Sequence, residues 1–177
     1  MTDYRRQTLV RAPLSEVWRF HSSVDGLVAL TPNWMNLRVE TVLGPDGEPD
    51  PEVLGAGSEV HLSMRPLGVG PRQHWSSRIL EREQRDGEAW FSDEMVEGPF
   101  PHWVHTHRFT ADGDDTLVTD EVAYELPIVP RPLSALGWPF FEPLFAYRHR
   151  RTRQLLEGRD ATGISPLLVV LSTRRPY

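Results

Sequence analysis

The sequence predicts an α+β domain in which an antiparallel sheet of about seven strands is closed by a long C-terminal helix, with two short helices after the first strand. Three observations predict it. Across residues 37–125, apolar and polar residues alternate in short runs separated by turn-forming clusters. Residues 12–20, entered through Pro13 and spaced as a helix, interrupt the strand pattern near the N-terminus. Over residues 133–156, Leu136, Phe140, Leu144, Tyr147 and Leu155 return at mostly helical intervals.

Each element has a local reason. The alternating run that continues through residues 8–11 is the first strand. Val17, Phe20 and Val24 recur at helical spacing behind Pro13, and Asp25 is expected to cap a second short helix through Leu27 and Leu30, stopped by Thr31-Pro32. The turn clusters at residues 44–47, 67–71, 85–87, 98–99 and 112–115 cut the central region into about six strands in a meander. Pro139 and Pro143 are expected to kink or divide the last helix. Residues 1–158 form one predicted domain, and 159–177 a tail whose apolar run, 164–171, is too short to span a membrane but suits a tail strand or a partner contact such as a homodimer.

Composition removes whole classes of chemistry. The chain of 177 residues suits one core, and it has no cysteine, so thiol nucleophiles, disulfides and cysteine metal sites are out. Every one of its 19 basic residues is arginine, which removes Schiff-base and lysine-base mechanisms. The net charge of −6 argues against a nucleic-acid partner, which demands a basic face. With no apolar leader and no spanning segment, a cytoplasmic location without integral membrane association is expected.

The strand pair over residues 91–109 carries the chemistry. Side chains alternate across a strand, so Trp103, His105, His107 and Phe109 share one face, two imidazoles between two aromatic rings. A hairpin turn at Gly98-Pro99 sets Met95 opposite Trp103, Asp93 opposite His105 and Phe91 opposite His107. The turn at 112–115 sets Asp120 opposite His107 and Tyr124 opposite Trp103. One face then gathers Asp93, His105, His107, Asp120 and Tyr124 among aromatics and reads as the wall of a ligand cavity.

With this order of elements, the chain resembles the SRPBCC superfamily of START domains, polyketide cyclases and plant pathogenesis-related allergens, over roughly residues 3–157. The opening strand with Ala12-Pro13-Leu14-Ser15-Glu16-Val17-Trp18, the segment 91–109 with its Gly-Pro-Phe turn and Trp-x-His-x-His strand, and the segment 116–127 carry the resemblance. It implies the helix-grip fold, a curved antiparallel sheet of about seven strands wrapped around a long C-terminal helix, and a cavity for a mostly apolar small molecule beneath that helix.

Binding of a small hydrophobic ligand (a polyketide, isoprenoid, quinone or lipid) by a carrier or sensor is the leading expectation. Its candidate contacts are Phe91, Asp93, Met95, Trp103, His105, His107, Phe109, Asp120, Tyr124, Trp138 and Phe141, with Trp34 and Trp138 at the mouth. A cyclase or dehydratase is the alternative, with His105 or His107 as general base, Asp93 or Asp120 beside it, and Tyr124 polarising a carbonyl. The plainer possibility, imidazoles that only satisfy buried carboxylates, stays open beside it. A protein-interaction module working through the tail is a further alternative.

Other signals weigh less. His105-x-His107 with Asp93 or Asp120 is too short a spacing to specify a metal, so neither metal nor cofactor is expected. Gly55-Ala56-Gly57 lacks the lysine of a phosphate loop, and no serine stands in a nucleophile elbow. The basic cluster at 148–153 suits the C-terminal end of a helix dipole, and would also receive a lipid headgroup or ligand carboxylate.

Overall fold

The first strand, β1 (Thr2–Val10), alternates along its length, with Tyr4 and Val10 turned into the core. The computed structural model of the chain describes residues 2–126 and 138–157, so the tail contact expected at 164–171 lies outside the described residues. Pro13, at φ −66° and ψ 149°, then stands at the N-cap of α1 (Leu14–His21), where its ring fixes the entry angle and its missing N–H costs no bond. Val17, Trp18 and His21 form the buried face of this helix.

The cap of α2 (Val24–Ala29) differs from the expectation: it is Ser23, not Asp25. The Ser23 hydroxyl accepts from the Gly26 N–H at 3.0 Å and donates to the Phe20 carbonyl at 2.8 Å, tying α2 to the end of α1. Asp25 stands inside the first turn, where its charge meets the helix dipole instead. Gly26 is needed for this junction, since a Cβ there would come within 1.9 Å of the Phe20 carbonyl oxygen. Ser23→Ala is therefore expected to cost about 1 kcal/mol, read as a shift of the urea midpoint, and Asp25→Ala only a few tenths.

Six further strands follow as an antiparallel meander: β2 (Arg38–Leu43), β3 (Glu59–Met64), β4 (Gln73–Arg85), β5 (Glu88–Glu97), β6 (His102–Asp112) and β7 (Asp115–Glu125). β1 pairs with β7, so the sheet order is β1-β7-β6-β5-β4-β3-β2. Its register shifts where Glu40, Leu80 and Val96 are each one residue too many for the partner strand. Such extra residues bend a sheet and turn a side chain outward. That accounts for Leu80 and Val96 being exposed although apolar.

The last helix, α3 (Trp138–Leu156), runs through Pro143 without division. Its buried stripe is Phe141, Phe145, His149, Thr152 and Leu156. This differs from the stripe of Leu136, Phe140, Leu144, Tyr147 and Leu155 that apolarity alone selects; Leu136 and the side chain of Phe140 lie outside the described residues, and Leu144 and Tyr147 face the cavity. The discrepancy is physical: two positions of the true stripe are polar and are matched by buried polar groups on the sheet and on α1. The start of α3 is clasped to β1, where Glu142 accepts from the Tyr4 hydroxyl at 2.7 Å and pairs with Arg6.

Burial falls into three clusters with a gap between them. Val10, Val17, Trp18, Ala89, Phe109, Val118 and Leu156 close one end, where α1 lies on the sheet. Tyr4, Val122, Tyr124, Phe141 and Phe145 seat α3 on the β1–β7 edge. Val42, Val60 and Leu62 pack with α2 residues Val24 and Leu27 at the far edge. Among the described residues, no helix is long and apolar enough to cross a membrane.

Candidate functional site

Because α3 is seated over one edge of the sheet and α2 over the other, the space between them stays open as a cavity of about 950 Å³. Its floor is the inward face of β3 to β6, including Leu62, Trp75, Ile79, Phe91, Met95, Trp103, His105 and His107. Its roof is the flank of α3, from Phe141 through Leu144 to Arg148, and α2 with Trp34 forms the remaining side. Small-molecule sites commonly enclose about 300–1,000 Å³, so this one is large.

Strand pairing builds the polar patch in that floor. β5 and β6 pair Asp93 with His105 and Phe91 with His107, and β6 and β7 pair His107 with Asp120 and Trp103 with Tyr124, the register that the two turns predict. The Phe91 ring lies flat on His107, with centroids 4.3 Å apart and planes 21° from parallel. His105 and His107 are themselves ring neighbours at 3.7 Å. The Ser77 hydroxyl donates to Asp93 Oδ1 at 2.6 Å, fixing that carboxylate at the wall.

Behind the wall, Asp120 organises three imidazoles. His105 Nε2 lies 2.8 Å from Oδ1 and His149 Nε2 lies 2.5 Å from Oδ2. An ionised carboxylate only accepts, so both rings carry their proton on Nε2. His107 Nδ1 also comes within 2.9 Å of Oδ1, yet it has no aligned hydrogen bond. We take that contact as electrostatic, since the direction of the N–H decides a hydrogen bond. Its Nε2 looks toward Asp93 Oδ2, 3.9 Å away.

Burial and these partners set the charges. Desolvation is the largest influence on Asp120 and would raise it, but it is outweighed by His107, His105 and His149, which together hold the carboxyl well below its ordinary range. His107 is pushed down to about 4, chiefly by burial and then by its neighbour His105, against the pull of Asp120. His21, buried at the end of α1 with Thr152 Oγ1 3.2 Å from its Nε2, is likewise pushed down to about 3 by burial. Both of these rings are neutral at pH 7.

Of the expected contacts, Phe91, Asp93, Met95, Trp103, His105, His107 and Phe141 line the cavity. Phe109, Asp120 and Tyr124 do not. Strand parity puts all three on the inward face, but α1 covers Phe109 with the Trp18 ring, and Phe141 covers Tyr124. Asp120 is screened from the space by His105 and His107 and acts on the cavity through them. The side chain of Trp138 lies outside the described residues. Trp34 lines the cavity and is 55% exposed, at its mouth.

Sequence reasoning missed His21 as part of the site, and read His149 and Arg148 only as members of the basic cluster at 148–153. The signal for His149 was its place four residues after Phe145 on the buried stripe. Asp93, His105 and His107 also offer donor atoms within 4.8 Å of one another. Donors around a tetrahedral zinc stand about 3.4 Å apart. His107 and Asp93, at 3.9 Å, are already wider than that, and the Arg148 charge is felt at Asp93. A divalent ion would need these groups to draw together beside a cation.

Comparison with known proteins bears on the fold and the family. A protein from Chromobacterium violaceum, CV1439, superposes with a TM-score of 0.60 at 16% identity, over 89% of this chain and 98% of its own. TTHA0849 from Thermus thermophilus gives 0.52 at 19%, over 89% and 93%. A Thalictrum norcoclaurine synthase, a point mutant solved with a transition-state analogue, gives 0.62 at 16%, over 88% and 94%. At these identities the likeness establishes the helix-grip fold alone. No curated protein matches the chain. The model of the family described as polyketide cyclase/dehydrase and lipid transport matches residues 10–147, a span from the end of β1 into α3 that includes the whole imidazole wall, and the chain belongs to that family.

Proposed function

We propose that this protein binds one small, mostly apolar organic molecule between sheet and α3, as a carrier or sensor. The observation that carries the reading is the cavity of about 950 Å³, whose lining is largely aliphatic and aromatic, with a compact polar patch at Asp93, His105 and His107 and with arginines on its roof and rim. In such a site affinity comes mainly from apolar burial, at about 25 cal/mol per Å², and polar groups set orientation. Family membership supports the same class of ligand.

The test separates the two contributions. His107→Phe keeps the apolar surface and removes one hydrogen-bonding group, whose net worth is about 1 kcal/mol. Binding of Nile red, followed by its fluorescence, is expected to weaken by no more than about tenfold in that variant. Leu62→Trp, which fills the cavity from its floor, is expected to abolish it. Complete loss in His107→Phe with an intact fold would overturn apolar burial as the main contribution.

A second reading, a cyclase or dehydratase, is favoured by one observation: Asp120 orients His105 through its Nε2, as a carboxylate does for a working general base. His105 is the better candidate of the two, since a ring held neutral down to about 4 accepts hydrogen bonds but is a weak base at pH 7. Removal of a proton next to a ligand carbonyl would then fall to His105. Turnover of a polyketide-like substrate that survives in His105→Ala would rule this out.

A further inference from the structure

The chain as a whole is acidic, with a net charge of −6, yet its cavity is basic. Among the described residues, four arginines, Arg82, Arg148, Arg150 and Arg153, line it against the single carboxylate of Asp93. Three of the four are accounted for. Arg82 lies over the Trp18 ring at 4.6 Å and donates to the Ser22 hydroxyl at 3.2 Å. Arg150 and Arg153 are exposed at the rim, with Arg150 over the Tyr147 ring at 6.0 Å.

Arg148 is different. It precedes His149 on α3, so the helical turn carries it off the core stripe and onto the roof of the cavity. Among the described residues, no hydrogen bond or ion pair holds its guanidinium, and Asp93 and Asp120 reach it only through space. Both carboxylates are engaged elsewhere, Asp93 by Ser77 and Asp120 by its imidazoles. Desolvation acts against the charged form of this arginine. Arg148 is half-buried, so its charge keeps only part of its water. A guanidinium stays protonated in proteins, and a partly desolvated one without a partner gains from an anion that supplies one.

We propose that the occupant is an anionic amphiphile, an apolar body ending in a carboxylate or similar oxyanion, and that Arg148 receives the anionic end. This rests on the hydrophobic-ligand reading and narrows it to a ligand class. The planar guanidinium presents a fork of donors that matches a carboxylate two bonds at a time. The apolar body then extends from Arg148 toward Leu144 and the floor at Leu62 and Ile79, and the exposed Arg150 and Arg153 draw anions to the mouth.

The experiment titrates the full chain with dodecanoate, dodecanol and dodecyl phosphate, following tryptophan fluorescence below the aggregation limit of each probe. Wild-type protein is expected to bind dodecanoate at least tenfold more tightly than dodecanol. Arg148→Met is expected to erase that preference while leaving dodecanol affinity within about twofold, and Arg148→Lys to keep part of it. Dodecyl phosphate binding as well as dodecanoate would identify a general oxyanion site, and failure of dodecyl phosphate a carboxylate site, both consistent with the proposal. Equal affinity for dodecanoate and dodecanol, or a preference that survives Arg148→Met, would overturn it and leave the hydrophobic reading standing. Binding of none of the probes would overturn both. If Arg148→Met does not fold by circular dichroism, the wild-type comparison and Arg148→Lys still decide.

Discussion

Replacing Asp120 by alanine is expected to destabilise the fold by about 2–5 kcal/mol, since two imidazole N–H donors lose their acceptor at about 1–3 kcal/mol each. The carboxylate is 2% exposed and stands between β7, β6 and α3, so its loss strips the acceptor from His105 and His149 at once. His149 cannot turn to water for a replacement, because it is buried behind the cavity wall. Asp120→Asn keeps the volume and one acceptor oxygen, but its amide nitrogen faces an imidazole N–H, so roughly half of that loss is expected. The measurement is the urea midpoint at pH 7 with an unchanged slope. A loss below about 1 kcal/mol for Asp120→Ala would mean that the imidazoles are not held by this carboxylate, and the orientation of His105 would then need another cause.

Much of this architecture was legible because strand parity and turn residues are local signals. The turns at Gly98-Pro99 and at 112–115 fix the pairing of β5, β6 and β7, and with it the meeting of Phe91, Asp93, His105, His107 and Asp120. Parity states which side of the sheet a residue faces, not what covers that side. Phe109 and Tyr124 point inward as expected, but one end of the face is roofed by α1 and the other by the aromatic start of α3, and only the middle is open. That division depends on where two helices come to rest, which no strand pattern encodes.

The helix phase was harder for the same reason. Apolarity selects Leu144 and Tyr147 as core, whereas the structure gives them to the cavity and buries His149 and Thr152 instead. A polar residue on a buried stripe is recognised only with its partner, and the partners here, Asp120 and His21, lie far away in sequence. Arg148 was legible as a member of a basic cluster. Its separation from Arg150 and Arg153, one facing the cavity and two at its rim, follows from the angle of α3 alone.

Lowering the pH from 7 toward 4 is expected to weaken the fold steeply, well before ordinary carboxylates protonate. His107 and His21 have native values pushed down to about 4 and about 3, against 6.5 for an unperturbed histidine. Below pH 6.5 the unfolded chain takes up a proton at each ring that the native cavity excludes, so the unfolded state binds more protons and stability falls with pH. Each ring contributes up to about 1.4 kcal/mol per pH unit inside its window. The His107 contribution levels off near pH 4 and that of His21 near 3. Asp120 adds its own loss only below its unfolded value near 3.8, since its native value is lower still. Above pH 6.5 these groups leave the stability flat. Thermal midpoints recorded every half unit from pH 4.5 to 8 check the shape, and His107→Phe should remove about one proton's share of the slope. A curve that stays level down to pH 5 would show that the cavity lets its imidazoles charge in place, so that burial does not hold His107 and His21 neutral.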